Sequence, residues 1–208
     1  MDFLTIGIMK LIVFTCFILV LSIPTYCQNT YVDEVKKFQR ELNDEFLDPE
    51  ESPLSKAERR KFKGHDFFPI NEMYRVEAEF IKADNPLTFQ MKTSTSRLPT
   101  YDKYGKVRFV LDGQPYELSI YQSHTLRETD EYRDYLFLPF TDLTNGDQTY
   151  GGGRYIDLRI PGGNTIIIDF NKAYNPSCAY SHSYSCPIPP AENDLNIKIE
   201  AGIRNLEL

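Results

Sequence analysis

The chain has 208 residues, with 23 lysines and arginines against 30 aspartates and glutamates, a net charge of −7. Asp2 and Lys10 are the only charges before residue 28 and cancel, so the rest of the chain keeps that acidic balance. Without clustered positive charge, nucleic acid and anionic membrane are excluded as partners, and the length suits one domain with a sizeable core.

The N-terminus reads as a targeting segment. Leu11 to Leu21 is almost continuously apolar, too short for a comfortable membrane span of about 20 residues. It fits the apolar core of a secretory signal, with Lys10 as its positive flank. Met9 is a more natural start than Met1. Thr25-Tyr26-Cys27 sets small residues at −3 and −1 of a cut before Gln28. A lipoprotein acylated at Cys27 and an uncleaved anchor are the rival readings, although Tyr26 is large for the residue before an acylated cysteine. Residues 1–27 are therefore expected to be a signal peptide, and the protein to be exported, periplasmic or secreted. After cleavage no segment is expected to span a membrane.

Residues 28–66 read as helical. Tyr31, Val35, Phe38, Leu42 and Phe46 recur at helical spacing with charges opposite, predicting about four turns that end before Pro49. Ser55 and Glu58 form a capping-box pattern for a short second helix, with Gly64 as its stop.

Residues 67–208 read as β. Tyr74, Val76, Ala78 and Phe80 alternate with charges, and so do Leu87, Phe89 and Met91 with polar residues. Val107, Phe109 and Leu111 lead into Asp112-Gly113, and Tyr116, Leu118 and Ile120 follow it, which predicts a hairpin. Tyr135 to Phe140 is a buried run. Arg154–Ile160 and Thr165–Phe170 flank Pro161-Gly162-Gly163-Asn164, predicting a second hairpin. Leu195, Ile197 and Ile199 alternate as a final strand. Consecutive strands with short turns give a mainly β fold, an antiparallel barrel or sandwich of about eight strands with two N-terminal helices. Residues 171–194 have no period and are expected to form an irregular loop.

Familiar catalytic signatures are absent. Gly151-Gly152-Gly153 precedes a strand, so no helix N-terminus is there to hold a phosphate. His65 and His124 sit among polar residues and are expected at the surface. If Cys16 and Cys27 are cleaved away, Cys178 and Cys186 remain as a disulfide or a pair of free thiols. His182 lies between them, but the spacing is not a zinc spacing. No metal and no cofactor are expected.

Two polar clusters sit at strand ends. One runs from Phe140 through Asp142, Thr144, Asp147, Gln148 and Thr149 to Arg154. The other contains Asp169, Asn171, Tyr174, Asn175 and Asn193. The expected second hairpin would bring Arg154 beside Asp169 as a charge-assisted pair. Arg154, Asp169, Asn171, Tyr174, Asn175 and Asn193 are thus the candidate ligand-binding residues. Bracing of loops by these same side chains is the alternative.

Asp169-Phe-Asn-Lys-Ala-Tyr-Asn-Pro-Ser-Cys-Ala-Tyr180, Cys186-Pro-Ile-Pro-Pro-Ala-Glu-Asn193 and Ile199-Glu-Ala-Gly202 closely resemble the uncharacterised bacterial family catalogued as domain of unknown function 1684. Leu138-Pro-Phe-Thr-Asp142, Thr149-Tyr-Gly-Gly-Gly-Arg-Tyr155, Ser52-Pro-Leu54 and Gly64-His-Asp-Phe-Phe68 fit the same family. The resemblance implies a bacterial protein and no defined activity. It implies that members without a signal keep both cysteines, which favours free thiols. It also implies acids where Gln148 and Ile203 stand here. The functional expectation is a small-molecule site at the sheet rim with hydrolysis as its reaction class. The alternative is a non-catalytic envelope module that binds protein or glycan through exposed tyrosines.

Overall fold

A computed structural model describes residues 27–205. The apolar run at 11–21 and its cleavage region before Cys27 lie outside them. The chain divides into two units, Met1–Glu34 and Val35–Leu208. Of the first, only residues 27–34 are described, as the opening turns of helix α1 (Cys27–Leu47). Among the described residues no helix is long and apolar enough to cross a membrane.

Helix α1 ends where Pro49 forbids another turn, and Ser52 Oγ donates to the Phe46 carbonyl at 2.6 Å. The capping box at Ser55 forms as expected, with Glu58 N donating to Ser55 Oγ and Ser55 N to Glu58 Oε2. The helix it starts, α2 (Lys56–Arg59), is a single turn and stops well short of Gly64.

Seven strands follow: β1 (Arg75–Gln90), β2 (Thr100–Leu111), β3 (Gln114–Ser123), β4 (Tyr135–Asp142), β5 (Arg154–Arg159), β6 (Thr165–Asp169) and β7 (Asp194–Leu195). They form a mainly β, curled antiparallel half-barrel. The strand path is β5-β4-β3-β2-β1-β6, with β7 pairing parallel to β4. The β2–β3 hairpin turns at Asp112-Gly113, both with positive φ (49° and 71°), as a two-residue turn of that hand requires.

Three expectations are corrected. The two runs at 74–80 and 87–91 are one strand, β1, with a register shift between Lys82 and Leu87. Opposite that shift, β2 has its own between Lys103 and Gly105. A Cβ at Gly105 would lie 2.5 Å from the Ile81 carbonyl oxygen, so the strands can bend together there only around a glycine. Second, β5 and β6 do not form a hairpin: they are opposite edges of the sheet. In a flat six-strand path those edges would stand roughly 24 Å apart, and residues 160–164 reach only about 20 Å fully extended. The sheet must therefore curl, and Phe80 N donates to Asn164 O at 2.8 Å where the connector crosses the gap. Third, the final strand is only Asp194–Leu195, although Ile199, Ala201 and Ile203 beyond it are buried.

The inside of the curl holds the main core, including Val76, Ala78, Phe80, Val107, Phe109, Leu118, Ile120, Leu136, Leu138, Phe140, Ile156 and Ile168. The alternate residues of the same strands build a second, aromatic cluster on the outer face: Tyr101, Tyr121, Phe137 and Tyr155, with Phe89, Tyr135 and Tyr174 against it. The loop 171–194 lies against this face; Tyr174 pairs with Tyr155, and Pro187 with Thr93.

His65, expected at the surface, is buried and joins α1 to the β layer. Its ring packs edge-on against Phe46 (4.3 Å between centroids), Phe62 and Tyr180. Asn43 Oδ1 accepts from both the His65 amide and Nδ1, each at 2.8 Å. An oxygen that only accepts requires the hydrogen on Nδ1, which leaves Nε2 a bare acceptor without a hydrogen-bond partner among the described residues. Burial holds the His65 pKa down at about 4. An unfolded histidine titrates near 6.5, so between about 6.5 and 4 the unfolded chain binds the extra proton. Stability should therefore decline as pH falls through that window, by up to about 3 kcal/mol from this group. His65→Gln should flatten that part of the curve, which urea unfolding at pH 7, 5.5 and 4 checks.

Candidate functional site

Arg154 opens β5 and is fully buried. Its partner is Asp142, not Asp169: Nη2 donates to Asp142 Oδ2 at 2.8 Å, with both side chains shut from solvent. The guanidinium also donates to the carbonyls of Ile199 (2.8 Å), Ala201 (2.5 Å) and Ile203 (3.3 Å), and lies 5.3 Å from the Phe140 ring centroid. Alternate carbonyls of an extended segment point one way, so Arg154 takes the place of a neighbouring strand for residues 199–203. That is why the final strand is short. Asp142 Oδ1 receives Thr144 N, Thr144 Oγ1 and Ile199 N. No route for a ligand anion to Arg154 exists in this arrangement.

Asn193 is equally closed. Beyond the Tyr121–Phe137 pair, Ser119 stands opposite Pro139, and a proline cannot donate to the ladder. Asn193 fills the gap: its Oδ1 accepts from Ser119 N, and its Nδ2 donates to the carbonyls of Ser119 and Pro139, all within 2.8 Å. Asn171 pairs in the same manner with the main chain of Asn71, at 2.9 Å in each direction. Asp169, at the end of β6 opposite Arg75, accepts from Asn171 N and Nδ2. These four candidates do not share a hollow with Tyr174 and Asn175.

Tyr174 and Asn175 instead line a cleft of about 420 Å³ on the outer face of the sheet. One wall is helix α1, which turns Phe38, Glu41, Leu42, Glu45 and Phe46 to it, the spacing of a single helical face. The other wall is Tyr132, Asp157 of β5, Tyr174, Asn175 and Ser177. Asp157, Glu41 and Glu45 carry no marker in the sequence: Asp157 sits in an apolar strand, and the helix acids look like an ordinary solvated face.

The chemistry of the cleft is acceptor-rich. The hydroxyls of Tyr135 and Tyr174 both donate to Asp157 Oδ1, at 2.6 and 2.7 Å, and no described residue hydrogen-bonds Oδ2. Asp157 is exposed to solvent, yet the protein packed around it pushes its pKa up against those two hydrogen bonds and nearby Arg159. Partial burial also raises the Glu45 pKa, with the charges of Glu51 and Asp157 adding to it. Asn175 Nδ2 donates to Tyr180 Oη at 3.2 Å, while its Oδ1 is buried without a hydrogen-bond partner among the described residues. Ten residues line the cleft, and none is basic.

The remaining candidates stand elsewhere. His124 is half-buried and contacts Asp102 at 2.8 Å, and Arg127 and Thr88 bond the same carboxylate. Burial raises the Asp102 pKa, but these three bonds outweigh it and hold it at about 2. Cys178 and Cys186 are free thiols close together. Gln148 bonds Glu200 at 3.3 Å, and Ile203 is in the core. Among the described residues no group of three or more His, Cys, Asp or Glu gathers as a metal-holding cluster.

Residues 60–204 match the family model described as "Protein of unknown function (DUF1684)". No curated protein matches the chain. Among solved structures, the chain is similar to the solution NMR structure of the uncharacterized protein from gene locus rrnAC0354 of Haloarcula marismortui. The two are 35% identical over 87% of this chain and 98% of that one, with a TM-score of 0.68.

If Arg154 is a brace, Arg154→Ala should cost about 3–5 kcal/mol by stranding Asp142 in the core. Arg154→Met with Asp142→Leu should cost less than the sum of the single changes, in urea unfolding. Asn193→Ala should cost at least about 2 kcal/mol, because it leaves Ser119 and Pro139 groups buried and unpaired.

Proposed function

The chain belongs to the DUF1684 family, a premise that supplies no reaction, and from the cleft itself we propose that it binds a small, donor-rich, positively charged organic molecule, an amine or amino sugar, on the outer face of the sheet. The carrying observation is the lining of the cleft, in which Glu41, Glu45 and Asp157 face one hollow with no basic residue beside them. The volume of about 420 Å³ suits a small ligand. Three carboxylates and no cation in the lining favour positive charge, and Phe38, Leu42 and Phe46 offer apolar surface beside it.

The reaction class we assign is hydrolysis, with Asp157 as general base. Two phenols fix Oδ1 and leave Oδ2 to take a proton from water; the water oxygen would bond to the electrophilic atom of the ligand as the bond to its leaving group breaks, and the leaving group would take up the proton. Its raised pKa moves it toward the value a base needs near neutral pH. We also propose export, on the strength of the Leu11–Leu21 run behind Lys10; the N-terminal residue of the secreted form tests it.

A thermal-shift series with spermidine, glucosamine, glucose and gluconate tests the binding reading. Spermidine or glucosamine should raise the melting temperature, and gluconate should not. Asp157→Asn and Asn175→Leu should each remove most of the shift. Asp157→Asn should not lower the melting temperature of the free protein, because it keeps the acceptor for both tyrosines and removes a partly desolvated charge. Binding should weaken as pH falls through the raised carboxyl range, starting above the ordinary pKa near 4. A preference for gluconate, or a shift unchanged in both variants, overturns the reading and leaves the non-catalytic envelope module in its place.

A further inference from the structure

The two thiols sit on segments with different freedom. Cys186 is buried and pinned along residues 92–94: Ser94 N donates to its carbonyl at 2.8 Å, its own amide donates to Ser94 Oγ at 3.1 Å, and Ile188 N bonds Lys92 O. Cys178 lies in a single 3-10 turn, Ser177–Ala179, and is partly open to solvent. The Cys178 amide donates to Cys186 Sγ at 3.1 Å, and the Tyr150 hydroxyl lies 3.9 Å from Cys178 Sγ. The Cys186 sulfur therefore rests against the backbone of Cys178, close enough for a bridge after a small adjustment of the 3-10 turn.

We propose that Cys178 and Cys186 form a hydroperoxide-reactive dithiol, in which Cys178 is the attacking thiol and Cys186 resolves it to an internal disulfide. In the first step the Cys178 thiolate attacks the terminal oxygen of a hydroperoxide. The S–O bond forms, the O–O bond breaks, and the alkoxide or hydroxide leaves and takes a proton from water. In the second step the Cys186 sulfur attacks the Cys178 sulfenic acid. The S–S bond forms, the hydroxyl group leaves, and with the Cys186 proton it becomes water. Two thiols are oxidised, and one peroxide is reduced to an alcohol or water, plus one further water.

The electrostatics run the same way. Hydrogen bonding from the Cys186 thiol, followed by Tyr150 and Ser94, draws the Cys178 pKa down to about 6 against partial burial. Its partner is pushed up by sharing that proton and by burial. The Cys178 amide, 3.1 Å from Cys186 Sγ, acts the other way by lowering the Cys186 pKa, and the attacking role falls to Cys178 because its sulfur is on the segment that solvent reaches. The pairing is independent of what the cleft binds.

The test uses the reduced full chain treated with one equivalent of hydrogen peroxide, with peptide mapping to separate this pair from Cys16 and Cys27. The wild type should yield the Cys178–Cys186 disulfide peptide, lighter by two hydrogens. Cys186→Ser should accumulate Cys178 sulfenic acid, captured by dimedone. Cys178→Ser should leave Cys186 reduced. Iodoacetamide should modify Cys178 with a half-maximal rate near pH 6, and at pH 7 about two- to threefold faster than in the urea-unfolded chain, the larger thiolate fraction outweighing its weaker nucleophilicity. Circular dichroism of the serine variants separates lost chemistry from lost fold. The proposal fails if no disulfide forms, if Cys186 oxidises as fast without Cys178, or if Cys178 shows an ordinary thiol profile.

Discussion

The buried Arg154–Asp142 pair is the constraint on which the fold turns. Removing two charges from water costs several kcal/mol per ion, recovered only when every remaining donor and acceptor is placed well. Arg154 meets most of that demand by gathering the carbonyls of Ile199, Ala201 and Ile203, with Nε left without a hydrogen-bond partner among the described residues, and Asp142 by gathering Thr144 and the Ile199 amide. Strand β4, strand β5 and the C-terminal segment are thereby tied at one point. The close approach leaves no room for a side chain at Gly153, where a Cβ would lie 2.6 Å from the Phe140 carbonyl oxygen at a φ of 88°. The path of the tail is a consequence of the same knot.

Asparagines do the finer joining. Asn193 stands in for ladder bonds that Pro139 cannot make, Asn171 pairs with a stretch of main chain a hundred residues away, and Asn43 seats His65. A carboxamide carries donor and acceptor in the geometry of a peptide group, so it can extend a sheet without a strand. This is how a long loop with little regular structure stays ordered against the outer face. Among the described residues the bare buried atoms include His65 Nε2 and Asn175 Oδ1, the first packed among aromatic rings and the second on a residue of the cleft wall.

One segment carries both proposed activities. Residues 174–178 supply Tyr174, Asn175 and Ser177 to the cleft, and Cys178 to the thiol pair. It is anchored at one end by the Tyr155–Tyr174 bridge, and the chain beyond it is anchored again at Pro187 by Thr93. Between those anchors lie only short turns, the local freedom that a reactive loop on a rigid sheet needs.

Periodicity in the sequence was enough for the class of fold. Val76–Ala78–Phe80 and Val107–Phe109–Leu111 alternate because a half-buried strand has a period of two, Val35 to Phe46 repeat because a helix has 3.6, and Asp112-Gly113 turns because its φ angles must be positive. The irregular stretch after Phe170 was legible as a site of specific contacts from its prolines and asparagines alone. Sequence neighbourhood could not decide partners. Pro161-Gly162-Gly163-Asn164 looks like a hairpin turn, yet it bridges the two edges of a curled sheet, which separates Arg154 from Asp169 and hands it to Asp142. Asp157 and Glu45 read as ordinary surface acids until the helix is laid over β5. Local pattern follows from each residue's own geometry, whereas burial and charge environment depend on which distant segment lands beside it, and only the tertiary structure decides that.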